Sequence, residues 1–141
     1  MLRRMDVEGA RDFIREQHRG VLATRGPGGA IRQSPVVAAV DDEGLIVISS
    51  RETAYKVRYL RDDPRASLCL FTDRFFGSWI WVEGTADILS LPEAMGPLVD
   101  YRQRFADAVG MDWADYRARM ERERRVLIRI RPERAGPTRQ G

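Results

Sequence analysis

The residues best suited to hold an anion lie where an apolar strand turns polar and runs into a short helix. Residues 45–48, Leu-Ile-Val-Ile, form the β-branched apolar run of a buried strand. Ser49, Ser50, Arg51, Thr53 and Lys56 follow. Ser49 and Glu52 have the S-x-x-E spacing of a capping box, which predicts a helix start here with Lys56 in its first or second turn. Asp62-Asp63-Pro64 ends that helix. Free backbone N–H groups and the positive end of a helix dipole favour an anion. With two cations and two hydroxyls beside them, the stretch reads as a phosphate site. A second reading shares the spacing, since Glu52 and Lys56 stand i,i+4 and can form a solvated surface pair. Lys56 is the only lysine among 24 basic residues. In an arginine-rich chain, a lone compact ammonium tilts the balance toward the anion.

The whole chain bounds what such a site can serve. Its 141 residues suit one domain with a real core, and the composition is that of an ordinary globular protein. A net charge of +3 fits a small anionic ligand and is too weak to argue for nucleic acid. With His18 as the single histidine, a His-rich metal site and a His-centred triad are both excluded from this chain alone. Cys69, inside the apolar run 67–71, reads as a small buried hydrophobe in a reducing compartment. No apolar stretch approaches a membrane span or a secretory h-region, so a cytoplasmic location is expected.

The elements that must position the site follow in order. Residues 6–18 predict a helix with Val7, Ala10, Phe13 and Ile14 on one face, closed by His18 against the dipole's negative end. Residues 20–25 predict a strand, and Gly26-Pro27-Gly28-Gly29 a hairpin turn rather than a nucleotide loop. On the next strand, 30–40, Arg32, Ser34 and Val36 share one face and Ile31, Gln33 and Val37 the other. Pro35 interrupts its ladder, implying an edge, a bulge or the approach of something other than a strand. A tight turn at 41–44 leads into the strand before Lys56. Residues 66–71 and 78–89 predict strands, the second with Gly84 as a bulge and with Trp79 and Trp81 on one face near Phe75 and Phe76. Those aromatics suit a core or dimer contact, or a wall beside a planar ring. Residues 91–109 predict a helix, and Trp113, Tyr116 and Met120 a second piece whose arginines, interleaved with acids, read as a solvated face. Residues 126–131 predict the last strand, so the domain is set at 1–131 with a polar tail at 132–141. The expected fold is mainly β (α+β), a six-stranded closed β-barrel with peripheral helices.

The ordered set of a strand, Ser49-Ser50-Arg51, a spaced Lys56, Tyr-Leu-Arg-Asp-Asp-Pro-Arg at 59–65, a strand and Trp-Val-Glu-Gly-Thr-Ala-Asp-Ile at 81–88 resembles the pyridoxamine 5′-phosphate oxidase-like split β-barrel superfamily. Within it, the chain is most similar to the branch that uses the deazaflavin coenzyme F420. The resemblance spans nearly the whole chain. It implies a phosphate segment at Ser49, Ser50, Arg51 and Lys56, and a strand beside the cofactor ring at Arg32, Gln33, Ser34, Pro35 and Val36. It also implies a sheet contribution near Trp79 and Trp81, often from the partner subunit of a homodimer. Tyr59 stands where the family carries asparagine before leucine.

The resulting expectation is a homodimeric oxidoreductase that passes a hydride from reduced F420 to a small conjugated substrate, with no nucleic acid or membrane partner. FMN is the alternative cofactor, and a flavin or deazaflavin carrier without turnover is the alternative class. A haem-binding split barrel is a third reading, for which His18 and Cys69 are the few axial ligands on offer.

Overall fold

Alternating apolar and polar positions close six antiparallel strands into a barrel. The computed structural model describes residues 6–137. Its strands are β1 (Arg19–Arg25), β2 (Ile31–Val40), β3 (Ile46–Arg51), β4 (Arg65–Phe71), β5 (Trp79–Leu89) and β6 (Arg125–Gly136). They close in the order β1-β2-β3-β6-β5-β4. Four helices lie around them, α1 (Val7–Glu16), α2 (Tyr55–Asp62), α3 (Met95–Gln103) and α4 (Trp113–Arg122). This is the α+β barrel that the strand pattern predicts.

Leu22, Ile48, Leu68, Leu70, Ile80 and Ile128 are fully buried in the interior, and α1 and α2 add Ile14, Val57 and Leu60 to the same cluster. A second cluster forms outside the barrel. There Ala39, Val47 and Leu127 point away from the interior and are covered by Leu98, Tyr101, Tyr116 and Met120 of α3 and α4. Residues 38–40, 46–48 and 126–128 are therefore buried on both faces, which explains their unbroken apolar composition.

The split that makes the site lies between β2 and β3. β2 pairs with β1 from Ile31 through Val37 but with β3 only from Ala38 to Val40. The β3-facing edge of residues 31–37 thus has no strand beside it, and Pro35 lies there, where a missing N–H breaks no ladder. Gly84 forms the expected bulge: the β5–β6 register shifts between Glu83 and Gly84. A Cβ on Gly84 would sit 2.0 Å from the Arg131 carbonyl oxygen.

Several local expectations are corrected. Helix α1 ends at Glu16 with Gln17 as its cap. His18 instead sends its ring Nδ1–H to the Ala38 carbonyl at 2.8 Å, tying the start of β1 to β2. The capping box does not form. Ser49 and Ser50 remain in β3, paired with Leu127 and Val126 of β6, and α2 is capped by Ala54 without a side-chain bond. Here the ladder to β6 overrides the local signal. The single helix over 91–109 divides into α3 and a separate turn at Ala106–Ala108. Strand β6 runs on through Gly136, so residues 132–136 are sheet rather than tail, and 138–141 lie outside the described residues. Cys69 lies on the outer face of β4 and is only partly buried. Among the described residues, no helix is long and apolar enough to cross a membrane.

Candidate functional site

The gap between β2 and β3 opens into a cavity of about 810 Å³. Its floor is strand: Pro35, Val36 and Val37 from β2, and Ser49, Ser50 and Arg51 from β3. Lys56 reaches it from the first turn of α2, where the first backbone N–H groups precede the helix's own acceptors. The α3–α4 segment supplies the opposite wall with Tyr101, Arg102, Tyr116, Arg119 and Met120, and Glu123 and Arg125 close it at the entry to β6. Six of the sequence-derived candidates therefore come together: Pro35, Val36, Ser49, Ser50, Arg51 and Lys56.

The electrostatics of the cavity are one-sided. Lys56 Nζ donates to Ser34 Oγ at 3.3 Å, which places Ser34 at the rim. Lys56 makes no ion pair with Glu52, whose carboxylate instead receives Arg61 Nη2 at 2.8 and 2.9 Å. The surface-pair reading of Lys56 is thereby removed. Burial lowers the Lys56 pKa, and the nearby Arg125 guanidinium lowers it further. Like charges gathered at a partly desolvated point favour an anion between them. Glu123 is the one carboxylate lining the cavity. It is shared by Arg125, at 2.8 Å, and Arg51, at 3.4 Å, and Arg125 holds its pKa below the usual range. Arg119 lies over the Tyr116 ring at 5.7 Å, and Arg102 pairs with Asp107 at 2.8 Å.

Two phenols complete the wall. Tyr101 Oη donates to the Val37 carbonyl at 2.8 Å and Tyr116 Oη to the Leu98 carbonyl at 3.0 Å. Burial pushes the Tyr101 pKa up to about 12 and raises that of Tyr116 as well. Both are neutral donors at physiological pH, already engaged with backbone.

Arg32, Gln33, Trp79 and Trp81 do not line this cavity. Arg32 lies on the exposed start of β2, its guanidinium on the Ile31 carbonyl. Trp79 and Trp81 face outward from β5, with Trp81 packed against Gly136. Phe75 meets Phe71, the residue opposite Trp79, edge-on at 6.1 Å, and Phe75 and Phe76 are 70% and 92% exposed. Among the lining residues that sequence reasoning missed are Arg19, Tyr101, Arg102, Tyr116, Arg119, Glu123 and Arg125. Arg119 carried a usable signal, since it stands three residues from Tyr116 and beside Met120, on the flank of the helix's apolar stripe.

Comparison with known proteins follows this geometry. A family model described as pyridoxamine 5′-phosphate oxidase matches residues 7–139. A conserved hypothetical protein of Mycobacterium tuberculosis is 28% identical, with a TM-score of 0.74 over 96% of this chain and 88% of that one. An F420 reductase is 21% identical at a TM-score of 0.67, over 89% of this chain and 94% of its own. A haem-binding protein of Mycobacterium smegmatis is 21% identical at a TM-score of 0.69, over 96% of this chain but 54% of the other. The last two likenesses are of fold alone.

Proposed function

Given that this chain belongs to the pyridoxamine 5′-phosphate oxidase family, we propose that it is a cytoplasmic, homodimeric oxidoreductase that uses coenzyme F420 to reduce a small conjugated substrate. The observation that carries the reading is the cationic cleft at the β2–β3 split, where Arg51, Lys56, Arg102, Arg119 and Arg125 line the cavity and Glu123 is the one carboxylate among the lining residues. A phosphate would answer that excess of cations, so the residues present fit a phosphorylated cofactor.

Ser49, Ser50, Arg51, Lys56 and Arg125 would hold the phosphate, and the β2 edge at Pro35–Val37 would lie along the ring. The bound deazaflavin supplies the hydride chemistry, which no side chain can provide. The chain's own part is to bind, orient and exclude water. Tyr101 and Tyr116 donate their protons to backbone carbonyls, so solvent remains the source of any proton the product takes up.

The choice of F420 over FMN rests on charge beyond the first anion. FMN presents one phosphate, whereas the deazaflavin tail carries a phosphodiester and then carboxylates. The α2 arginines Arg58 and Arg61 do not extend the site, because neither lines the cavity. Arg102 and Arg119 do extend it, from the helical wall. The outward aromatics Trp79, Phe75 and Phe76 suit burial against a second copy, which would bring β5 toward its partner's cleft. Titration of the purified protein with FMN and with F420 tests the reading. Tighter binding of F420 supports it, and a protein that binds FMN alone overturns it in favour of a flavin oxidase.

A further inference from the structure

The β2–β3 ladder pairs Val40 with Ile46, Ala39 with Val47 and Ala38 with Ile48, then stops. The same register carried one step further would set Val37 opposite Ser49, and both residues line the cavity. Ala38 sends its N–H to the His18 carbonyl at 2.7 Å, and its own carbonyl accepts from the His18 ring. Its polar groups therefore face β1, and strand alternation turns those of Val37 toward β3. A direct Val37–Ser49 bond is the natural next rung. Instead the Tyr101 hydroxyl donates to the Val37 carbonyl at 2.8 Å, and the same alternation turns the Ser49 backbone N–H toward the gap that the hydroxyl occupies.

We propose that Tyr101 is a positioning residue whose hydroxyl, inserted between Val37 and Ser49, holds β2 and β3 apart and so sets the width of the ligand cleft. An oxygen seated between the Val37 carbonyl and the Ser49 N–H takes the place of a direct rung and widens the gap by roughly 2 Å. The ring that carries the hydroxyl is fixed. Tyr101 is 7% exposed and meets Phe105 edge-on at 5.0 Å, and Phe105 meets His18 edge-on at 4.7 Å. Thus α3, not the barrel, decides where the ladder ends. Removing the hydroxyl leaves a carbonyl and an N–H without partners in a half-buried place, and each is the other's nearest remedy.

The test is Tyr101→Phe in the full chain, read by two measurements. In the ligand-free protein, NMR should show a scalar coupling across a new hydrogen bond from the Ser49 amide nitrogen to the Val37 carbonyl carbon, absent from the wild type. In titrations, F420 affinity should fall about ten-fold, or ~1.4 kcal/mol. A variant without the coupling overturns the proposal whatever its affinity. A variant with the coupling but full affinity, against a wild type that binds, overturns the role in setting the cleft. The binding arm rests on the proposed function and the coupling does not. A wild type that binds neither F420 nor FMN sinks that function, and the coupling alone then decides on the wedge. Should the variant not fold, the wild type decides: a Tyr101 hydroxyl proton with a nuclear Overhauser effect to the Ser49 amide supports the insertion, and its absence refutes it.

Discussion

Replacing Lys56 by methionine separates anion binding from stability, because the two should move in different directions. The side chain is partly buried, hydrogen-bonded only to Ser34 Oγ, and its pKa is lowered by desolvation and then by Arg125. Lowering the pKa of a base in the fold means that the folded state disfavours its proton. At neutral pH, below both the folded and the unfolded pKa, that cost is fully present, and it is relieved only as pH rises toward 10.5. Lys56→Met should therefore leave the ligand-free protein as stable as the wild type or slightly more so. Binding should behave differently. A hydrogen bond to a charged partner contributes about 1.5–3 kcal/mol, and partial exposure places Lys56 toward the lower end. About 1.5–2 kcal/mol corresponds to a roughly 10- to 30-fold rise in Kd. Calorimetric titration with F420 and with FMN reads the affinity, and thermal unfolding reads the stability. A variant that loses stability while binding cofactor as before would refute the assignment, since it would make Lys56 a structural cation.

Four further outcomes are expected. F420 affinity should fall more steeply with added salt than FMN affinity, because partly exposed charges such as Arg119 are screened; parallel salt slopes in paired titrations would count against an acidic tail on the helical wall. Light scattering at micromolar concentration should give a dimer, whereas a monomer would leave Phe75, Phe76 and Trp79 without the proposed cover. Gly84→Ala should destabilise by about 1–3 kcal/mol in a denaturant titration, because its Cβ would meet the Arg131 carbonyl, and an unchanged midpoint would mean the bulge yields. With a Tyr101 pKa of about 12 against an ordinary 10.0, the fold should lose stability as pH rises from 10 toward 12, and Tyr101→Phe should flatten that slope in alkaline unfolding curves.

The barrel was legible because strand signals are local and the barrel's closure agrees with them. The alternation in 66–71 and 78–89, the turn at 41–44 and the Gly84 bulge all reappear in place. What failed did so where partners distant in sequence decide. Ser49 and Glu52 carry a helix-start signal, yet β6 pairs with residues 46–51 and keeps them extended. Residues 132–136 begin with a proline and read as tail, but Pro132 falls opposite Gly84, where the bulge spares it a ladder bond. The site was legible on one side only. Lys56 and the two serines follow a recognisable strand-to-helix spacing, whereas Arg102, Arg119 and Tyr101 reach the cavity through the docking of α3 and α4 on the outer face of Ala39, Val47 and Leu127. No short-range pattern records that docking.

That docking has an evolutionary reading. The residues that would grip a phosphate sit on β3, α2 and the first residue of β6, while the helical side of the cleft, Tyr101, Arg102, Tyr116, Arg119 and Met120, comes from one continuous stretch between β5 and β6. The stretch leaves and rejoins the sheet at strands that pair directly, Leu89 opposite Leu127. Drift or recombination confined to residues 90–124 could thus remodel what enters the cleft while the anion cradle is inherited intact. The same junctions offer an engineer two natural splice points for exchanging the wall of one such barrel for that of another.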